Sequence, residues 1–506
     1  MLRSSLTAIA VFIVSALQPV PWRPPAGIPM PPFGITETAP ATTLYVDYAR
    51  GGDANPGTAA RPRKTIPQVL PRCTVVQIVG TYPVSHEAPR TIEAQGSADC
   101  PVFIRGGQHT QAWEVSGTYL VIEGAKRGFL VVRTTRDGRD THHVAVRDSE
   151  FVGGGVAVQA TYAEKGTVSN VVALRLNIHD LGDMNTTTDQ DVMGFGVYRE
   201  RVHHAWFLDS TCERVSSDCA QVNAQGDPAG VHHVYMGRIT CRQNRQGCLW
   251  AKQSEDVVFS ESTCSSMRPD KGGINPGHCF GAQYDARRLV ILNNVMTNSE
   301  NGIRLASYDY GTPQGGTLIA GNLITNIHHT TTGNTVENAW SGGAAILLVG
   351  GITATLINNT IWDVDGGIQI PAGGATTTVV NTIIGQVKRA AFQVEQRDKL
   401  KRVTHSRFDA PPRFFLAGTS FVPTSKDLAR DEDSVVVPGF LNSASGDFRL
   451  AETSPLRGKG LPVDLEAAYQ KVHGATLGLD LISRDIGAGL QILEKSAPAP
   501  NGTPGR

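Results

Sequence analysis

The chain has 506 residues and carries 46 Lys+Arg against 46 Asp+Glu, so it has no net charge with which to attract nucleic acid or an anionic membrane surface. Its apolar runs are four to six residues long, rich in β-branched side chains and broken by Gly and Asn, which excludes armadillo-like or ankyrin-like helical repeats. The length would ordinarily divide among several domains, but a solenoid takes it up as one elongated body.

In chain order, Arg3 precedes an apolar run from Leu6 to Leu17, short for a bilayer span and suited to a signal h-region. Residues 1–18 read as a signal peptide; no small-x-small site follows, so cleavage and retention as an anchor both stay open. Residues 19–42 hold Pro19, Pro21, Pro24, Pro25, Pro29, Pro31 and Pro32 and read as a semi-rigid linker. No later segment is apolar enough to cross a membrane, and the expected location is secreted or periplasmic.

Residues 43–425 read as a coil of parallel strands. They open with Leu44-Tyr45-Val46-Asp47 and Val75-Val76-Gln77-Ile78-Val79. Further on, Val290-Ile291-Leu292-Asn293-Asn294-Val295-Met296 followed by Gly302-Ile303-Arg304-Leu305 matches Thr355-Leu356-Ile357-Asn358-Asn359-Thr360-Ile361 followed by Gly367-Ile368-Gln369-Ile370. Such a unit has an apolar face that it cannot bury alone, so copies must stack. One inward slot is filled in turn by Phe151, Ile178, Cys212, Cys241, Cys264, Met296, Ile324, Ile361 and Ile384. Residues 426–493 are expected to cap the open end, and 494–506 read as a disordered tail.

The opening segment, together with Pro438-Gly439-Phe440, Gly446-Asp447-Phe448-Arg449-Leu450, Ser454-Pro455-Leu456 and Arg484-Asp485-Ile486-Gly487-Ala488, resembles the pectate-lyase-like superfamily over roughly residues 43–490. The resemblance implies an all-β, single-stranded right-handed parallel β-helix with capping segments at both ends. That superfamily includes lyases, hydrolases, epimerases and non-catalytic binders, so it leaves the activity open.

Eight cysteines suit an oxidising compartment. The Thr-Cys-x6-Cys spacing pairs Cys212 with Cys219 and Cys241 with Cys248; Cys264 with Cys279 and Cys73 with Cys100 complete the expected disulfides. Two ladders of stacked buried thiols are the alternative, while the lack of a CxxC spacing argues against zinc.

Period-two alternation allows the outward face of the third strands to be read off. Aligning Gly155–Gln159, Gly196–Glu200, Cys219–Asn223, Cys248–Lys252, Cys279–Gln283 and Gly302–Ala306 gives two outward columns. One is Ala157, Tyr198, Gln221, Trp250, Gly281, Arg304; the other is Gln159, Glu200, Asn223, Lys252, Gln283, Ala306. Aromatic platforms interleaved with amides and charges suit an extended sugar chain. Tyr198, Gln221, Asn223, Trp250 and Gln283 are therefore the expected substrate-binding residues. A merely solvated polar face is the plainer reading.

For β-elimination from a uronate, Lys252 is the candidate base, Arg304 the carboxylate clamp, and Tyr284 or Tyr308 the proton donor. Glu200 and Asn223, with the acidic loop Asp180, Asp183, Asp189 and Asp191, are candidates to hold Ca²⁺. Lys252-Gln253-Ser254-Glu255-Asp256 resembles the Lys-Ser segment of the chondroitinase-B and alginate-lyase family, which implies a Lys base and a calcium held by Asn and Glu. Here Gln283-Tyr284 stands where that family has an Arg-His pair, and its calcium glutamates have no counterpart around Leu249-Trp250.

The pairs His142-His143, His203-His204 and His232-His233 fall in register, which suggests either a metal site or a generic polar corner slot shared with Asn170, Asp256 and Arg288. A hydrolase wants two facing carboxylates, and the columns offer only Glu200. The expectation is an exported, monomeric polysaccharide lyase with an acidic polysaccharide as partner, no nucleic acid and no membrane beyond the signal segment. A non-catalytic envelope or exopolysaccharide protein is the alternative, followed by a uronate epimerase or a glycoside hydrolase.

Overall fold

The computed structural model describes residues 22–40, 43–83, 91–109, 112–160, 165–186, 188, 190–267, 277–306, 316–329, 342–350, 353–410, 414–416, 419–421, 435–473, 482–483 and 485–487. The signal segment, the tail, Asp189 and Tyr308 lie outside the described residues.

Thirty-seven strands join into one continuous ladder, written as a 37-stranded sheet. Its strand pairings are parallel except the last, Phe414–Leu416 against Thr419–Phe421. Each turn of the coil supplies up to three short strands separated by corners, and each strand pairs with its counterpart one turn on. This is the expected single-stranded right-handed parallel β-helix. The inward slot is continuous: Phe151, Ile178, Cys212, Cys241, Cys264, Met296, Ile324, Ile361 and Ile384 pair successively in register. All are buried, and His109 and Arg127 occupy the same slot in the preceding rungs.

The first corner explains why Asn recurs. The chain turns there through left-handed backbone at Asp148, Arg175, Asp209, Arg238, Glu261, Asn293, Asn358 and Asn381, with φ between 49° and 54°. The bend takes the next amides out of the strand ladder, and a side-chain oxygen from the following rung accepts them. Leu176 N donates to Ser210 Oγ (2.9 Å), Ser262 N to Asn294 Oδ1 (2.8 Å), Asn294 N to Asn322 Oδ1 (2.9 Å) and Asn322 N to Asn359 Oδ1 (3.1 Å). These side chains are buried, so the bonds satisfy amides that water does not reach. Outside the same corner, charges alternate: Arg175 bonds Asp148, and Arg238 bonds Asp209.

Disulfides join Cys73–Cys100, Cys212–Cys219, Cys241–Cys248 and Cys264–Cys279. The last three staple the second strand to the third in consecutive rungs.

Two terminal expectations are corrected. Residues 22–40 are not a tether but a strap across the outer face of the first-strand sheet. Ala26, Ile28 and Phe33 are buried there; Trp206 Nε1 donates to Pro29 O (3.1 Å), Ser260 Oγ to Ala26 O (2.6 Å), and Arg147 Nη2 to Glu37 O (2.7 Å). The reason is the outer column beneath it: Val121, Ala145, Val172, Trp206, Tyr235 and Val258 are in register, apolar and buried, so that face must be covered. Similarly, the C-terminal segment does not simply close the open end. Its helix Leu465–His473 lays Leu465 and Tyr469 on the same apolar face farther along. Phe448, Leu456 and Ile486 pack on Trp362 and Ile383 at a flank.

The histidine pairs lie on this sheet at a left-handed slot that His143, Asn170, His204, His233, Asp256 and Arg288 share, with φ of 52–57°. Within each pair the two Nδ1 atoms lie 2.7–2.8 Å apart. His203 stacks on His232 (5.2 Å) and His204 on His233 (4.6 Å). Among the described residues no three His, Cys, Asp or Glu side chains gather to hold a metal. Burial, and then the neighbouring imidazoles, push His204 down to about 4 and lower His203 and His232.

Two predictions follow from these ladders. Asn322→Leu strands the Asn294 amide and the Ile291 carbonyl and should cost about 3 kcal/mol in denaturant unfolding. The unfolded chain binds protons on histidine near pH 6.5 while the folded chain resists until about pH 4, so stability present above pH 6.5 is lost as pH falls through that window. His204→Asn, the residue that Asn170 places in the same slot, should flatten the fall in thermal midpoint between pH 6.5 and 4.

Candidate active-site cleft

The outward face of the third strands carries a cleft of about 640 Å³. Its floor is one column, Gln159, Tyr198, Asn223 and Lys252, held level by strand pairing and spaced by about 4.8 Å per rung. Leu181, Asp191, Val192 and Met193, flanking the loop before the strand Phe195–Tyr198, form one wall. Arg199, Gln225 and Tyr284 form the other, and all three have left-handed backbone (φ 66°, 58° and 60°) at the corner that ends the third strand. At Tyr284 the register also shifts, between the pairs Lys252–Gln283 and Ser254–Ala286, which places an extra residue at the rim.

The alignment expected for Gly196–Glu200 is corrected by two residues. Phe195 pairs with Val156 and Ala220, so Gly196 is level with Ala157 and Gln221, and Tyr198 is level with Gln159 and Asn223. Glu200 falls beyond the strand, where its carboxylate accepts the Asp227 amide (3.0 Å). Asn223 Oδ1 accepts the Gln225 amide (3.0 Å). Ca²⁺ wants six to eight oxygen ligands. Glu200 lies outside the cleft, and its Oε1 and Asn223 Oδ1 each already accept one backbone amide.

Trp250 points outward in register yet is only 3% exposed, so it is not an open sugar platform. Its ring lies against Gly281, where an added Cβ would come within 2.3 Å of it, and its centroid is 4.0 Å from that of His278. Its Nε1 donates to Gln283 Oε1 (3.3 Å). Gln221 is buried too, with Nε2 donating to Asp218 Oδ2 (3.0 Å), though it still borders the cleft. Arg304 is buried and does not line the cleft.

Thus Tyr198, Gln221, Asn223, Lys252 and Tyr284 are brought together, whereas Trp250, Gln283, Glu200 and Arg304 are not among the lining residues. Arg199, unremarked in the sequence, joins the site. The Lys252 amine has no hydrogen-bond or ion-pair partner among the described residues, although it is half-buried. Burial, then the Asp218 and Asp191 carboxylates, push the Tyr198 hydroxyl up, so it stays protonated.

No protein-family model and no curated protein matches this chain. Among solved structures it is similar to a GH136 lacto-N-biosidase from Eubacterium ramulus, with TM-score 0.42 and 10% identity over 74% of this chain and 67% of that one. A rhamnogalacturonan lyase gives TM-score 0.32 and 12% identity over 85% and 98%. The pectate lyase Pel9A gives 0.24 and 10% over 83% and 92%.

Because the Lys252 amine bonds no group among the described residues, Lys252→Ala should leave stability within about 0.5 kcal/mol of wild type by thermal unfolding. A larger loss would mean that the amine is a structural group.

Proposed function

We propose that this is an exported polysaccharide lyase that binds an acidic, uronate-containing chain in the cleft and cleaves it by β-elimination. The observation that carries the reading is the unpartnered, half-buried Lys252 amine on the same cleft floor as Tyr198 and Asn223, with Tyr284 and Arg199 on the rim. The four disulfides fit an oxidising compartment outside the cytoplasm, and no described helix is long and apolar enough to cross a membrane.

Lys252, as the free amine, takes the proton from C5 of the uronate. The C5–H electrons form the C4–C5 double bond, the C4–O bond breaks, and the Tyr284 hydroxyl protonates the departing glycosidic oxygen. Arg199, rather than the buried Arg304, presents its planar donors to the uronate carboxylate, which makes C5–H more acidic. Tyr198 and Asn223 offer an apolar ring face, a hydroxyl and an amide to the sugar hydroxyls. Hydrolysis is less well served: Asp191 is the one carboxylate among the described cleft-lining residues, and inverting or retaining hydrolysis needs two.

The test is ultraviolet absorbance during incubation with a panel of uronate polysaccharides. Product with a C4–C5 double bond should accumulate with wild type, persist in EDTA, and fall at least 100-fold in Lys252→Ala. Arg199→Ala should chiefly raise KM. Retained binding with no absorbance change on any uronate would instead support a carbohydrate-binding protein.

A further inference from the structure

At the N-terminal end of the coil the inward slot is filled not by an aliphatic side chain but by Arg127, which pairs in register with His109 on one side and Phe151 on the other. Arg127 is 1% exposed, and among the described residues Nε, Nη1 and Nη2 all lack an acceptor. Its guanidinium lies 4.6 Å from the Trp113 ring centroid, and the fully buried Trp113 Nε1–H has no acceptor either. The ring of His109 is 4.3 Å from that of Trp113, and Tyr82 closes the group at 5.5 Å from Trp113. None of these neighbours supplies negative charge. His109 is pushed down to about 2 by burial and by Arg127, so it is neutral, and the Tyr82 hydroxyl is pushed up to about 12 by burial. Of the carboxylates on adjoining strands, Glu150 turns outward to Lys126 and His179, and Glu114 pairs with Arg133.

An isolated buried cation is among the most costly groups a fold can contain, and cation–π contact with one indole offsets only part of that cost. Burial alone lowers Arg127 to about 9, so the group remains protonated at neutral pH and needs a counter-charge. We infer that the interior of the coil at Arg127 and Trp113 is a binding site for a small monovalent anion of halide size, held by the guanidinium N–H donors and the indole N–H. An anion of this kind is spherical and weakly hydrated, and it accepts from N–H donors without demanding donors in return. Among the described residues no acceptor competes for those N–H groups. This site is separate from the cleft and independent of the proposed lyase activity.

The experiment is a crystal structure of the full chain grown or soaked in bromide, with anomalous data. A bromide peak within hydrogen-bond reach of Arg127 and Trp113 Nε1 is the expected result. A map with only water there, or with no density, overturns the proposal. A second measurement follows the thermal midpoint of wild type and Arg127→Met as chloride is raised at constant ionic strength, with a bulky sulfonate as the balancing anion. Wild type should gain stability with chloride, while Arg127→Met should be flat and at least as stable as wild type at the lowest chloride. Equal chloride dependence in the two proteins overturns the site. Should the variant fail to fold, the bromide map decides alone.

Discussion

The hydrogen bond that each rung lends to the one before it, at the first corner, is the interaction on which the architecture rests. A parallel coil satisfies its strand amides automatically, because every strand finds a copy of itself one turn away. It cannot do so where the chain bends, since a residue at φ near 50° swings the following N–H out of the ladder. Ser210, Ser262, Asn294, Asn322 and Asn359 solve the problem by reaching back across one rung. Three adjacent Asn side chains also bond one another, so the corner is a polar spine buried beside an apolar core.

That spine was legible in the sequence because Asn293-Asn294 and Asn358-Asn359 interrupt matched apolar runs, and the inward slot was legible because its side chains are aliphatic or Cys. The third-strand alignment was right wherever Cys or Gly opens the strand. It failed at residues 195–198, where the loop 182–194 hides the start and Gly196 imitates the Gly that opens neighbouring rungs. A slip of two residues leaves the alternation of inward and outward side chains unchanged, so pattern alone does not detect it. Trp250 was misjudged for a related reason: parity says outward, but the neighbouring Gly281 leaves room for the ring to lie flat and be buried.

The strap and the rim of the cleft were illegible for different physical reasons. Val171-Val172-Ala173-Leu174 is apolar without alternation, the pattern of a strand covered on both faces, and it called for a cover that the Pro-rich composition of residues 19–42 disguised as a linker. Arg199 and Tyr284 project into the cleft because their backbone is left-handed, and neither residue type signals that conformation. In this site strands supply the floor and corners supply the walls. The floor is fixed by register, while the walls depend on single backbone angles.

The strap also sets an order of assembly. A coil whose rungs touch only their neighbours can grow locally, one turn at a time, with little cost in loop closure. Residues 22–40 are made before the rungs that they cover, yet they bond partners as distant in sequence as Glu261, 235 positions on from Ala26. Their binding face, from Tyr119 to Ser260, exists only after six rungs have stacked. A segment made ahead of the coil is therefore the last part of this face to settle, acting as a clasp that closes over turns already wound.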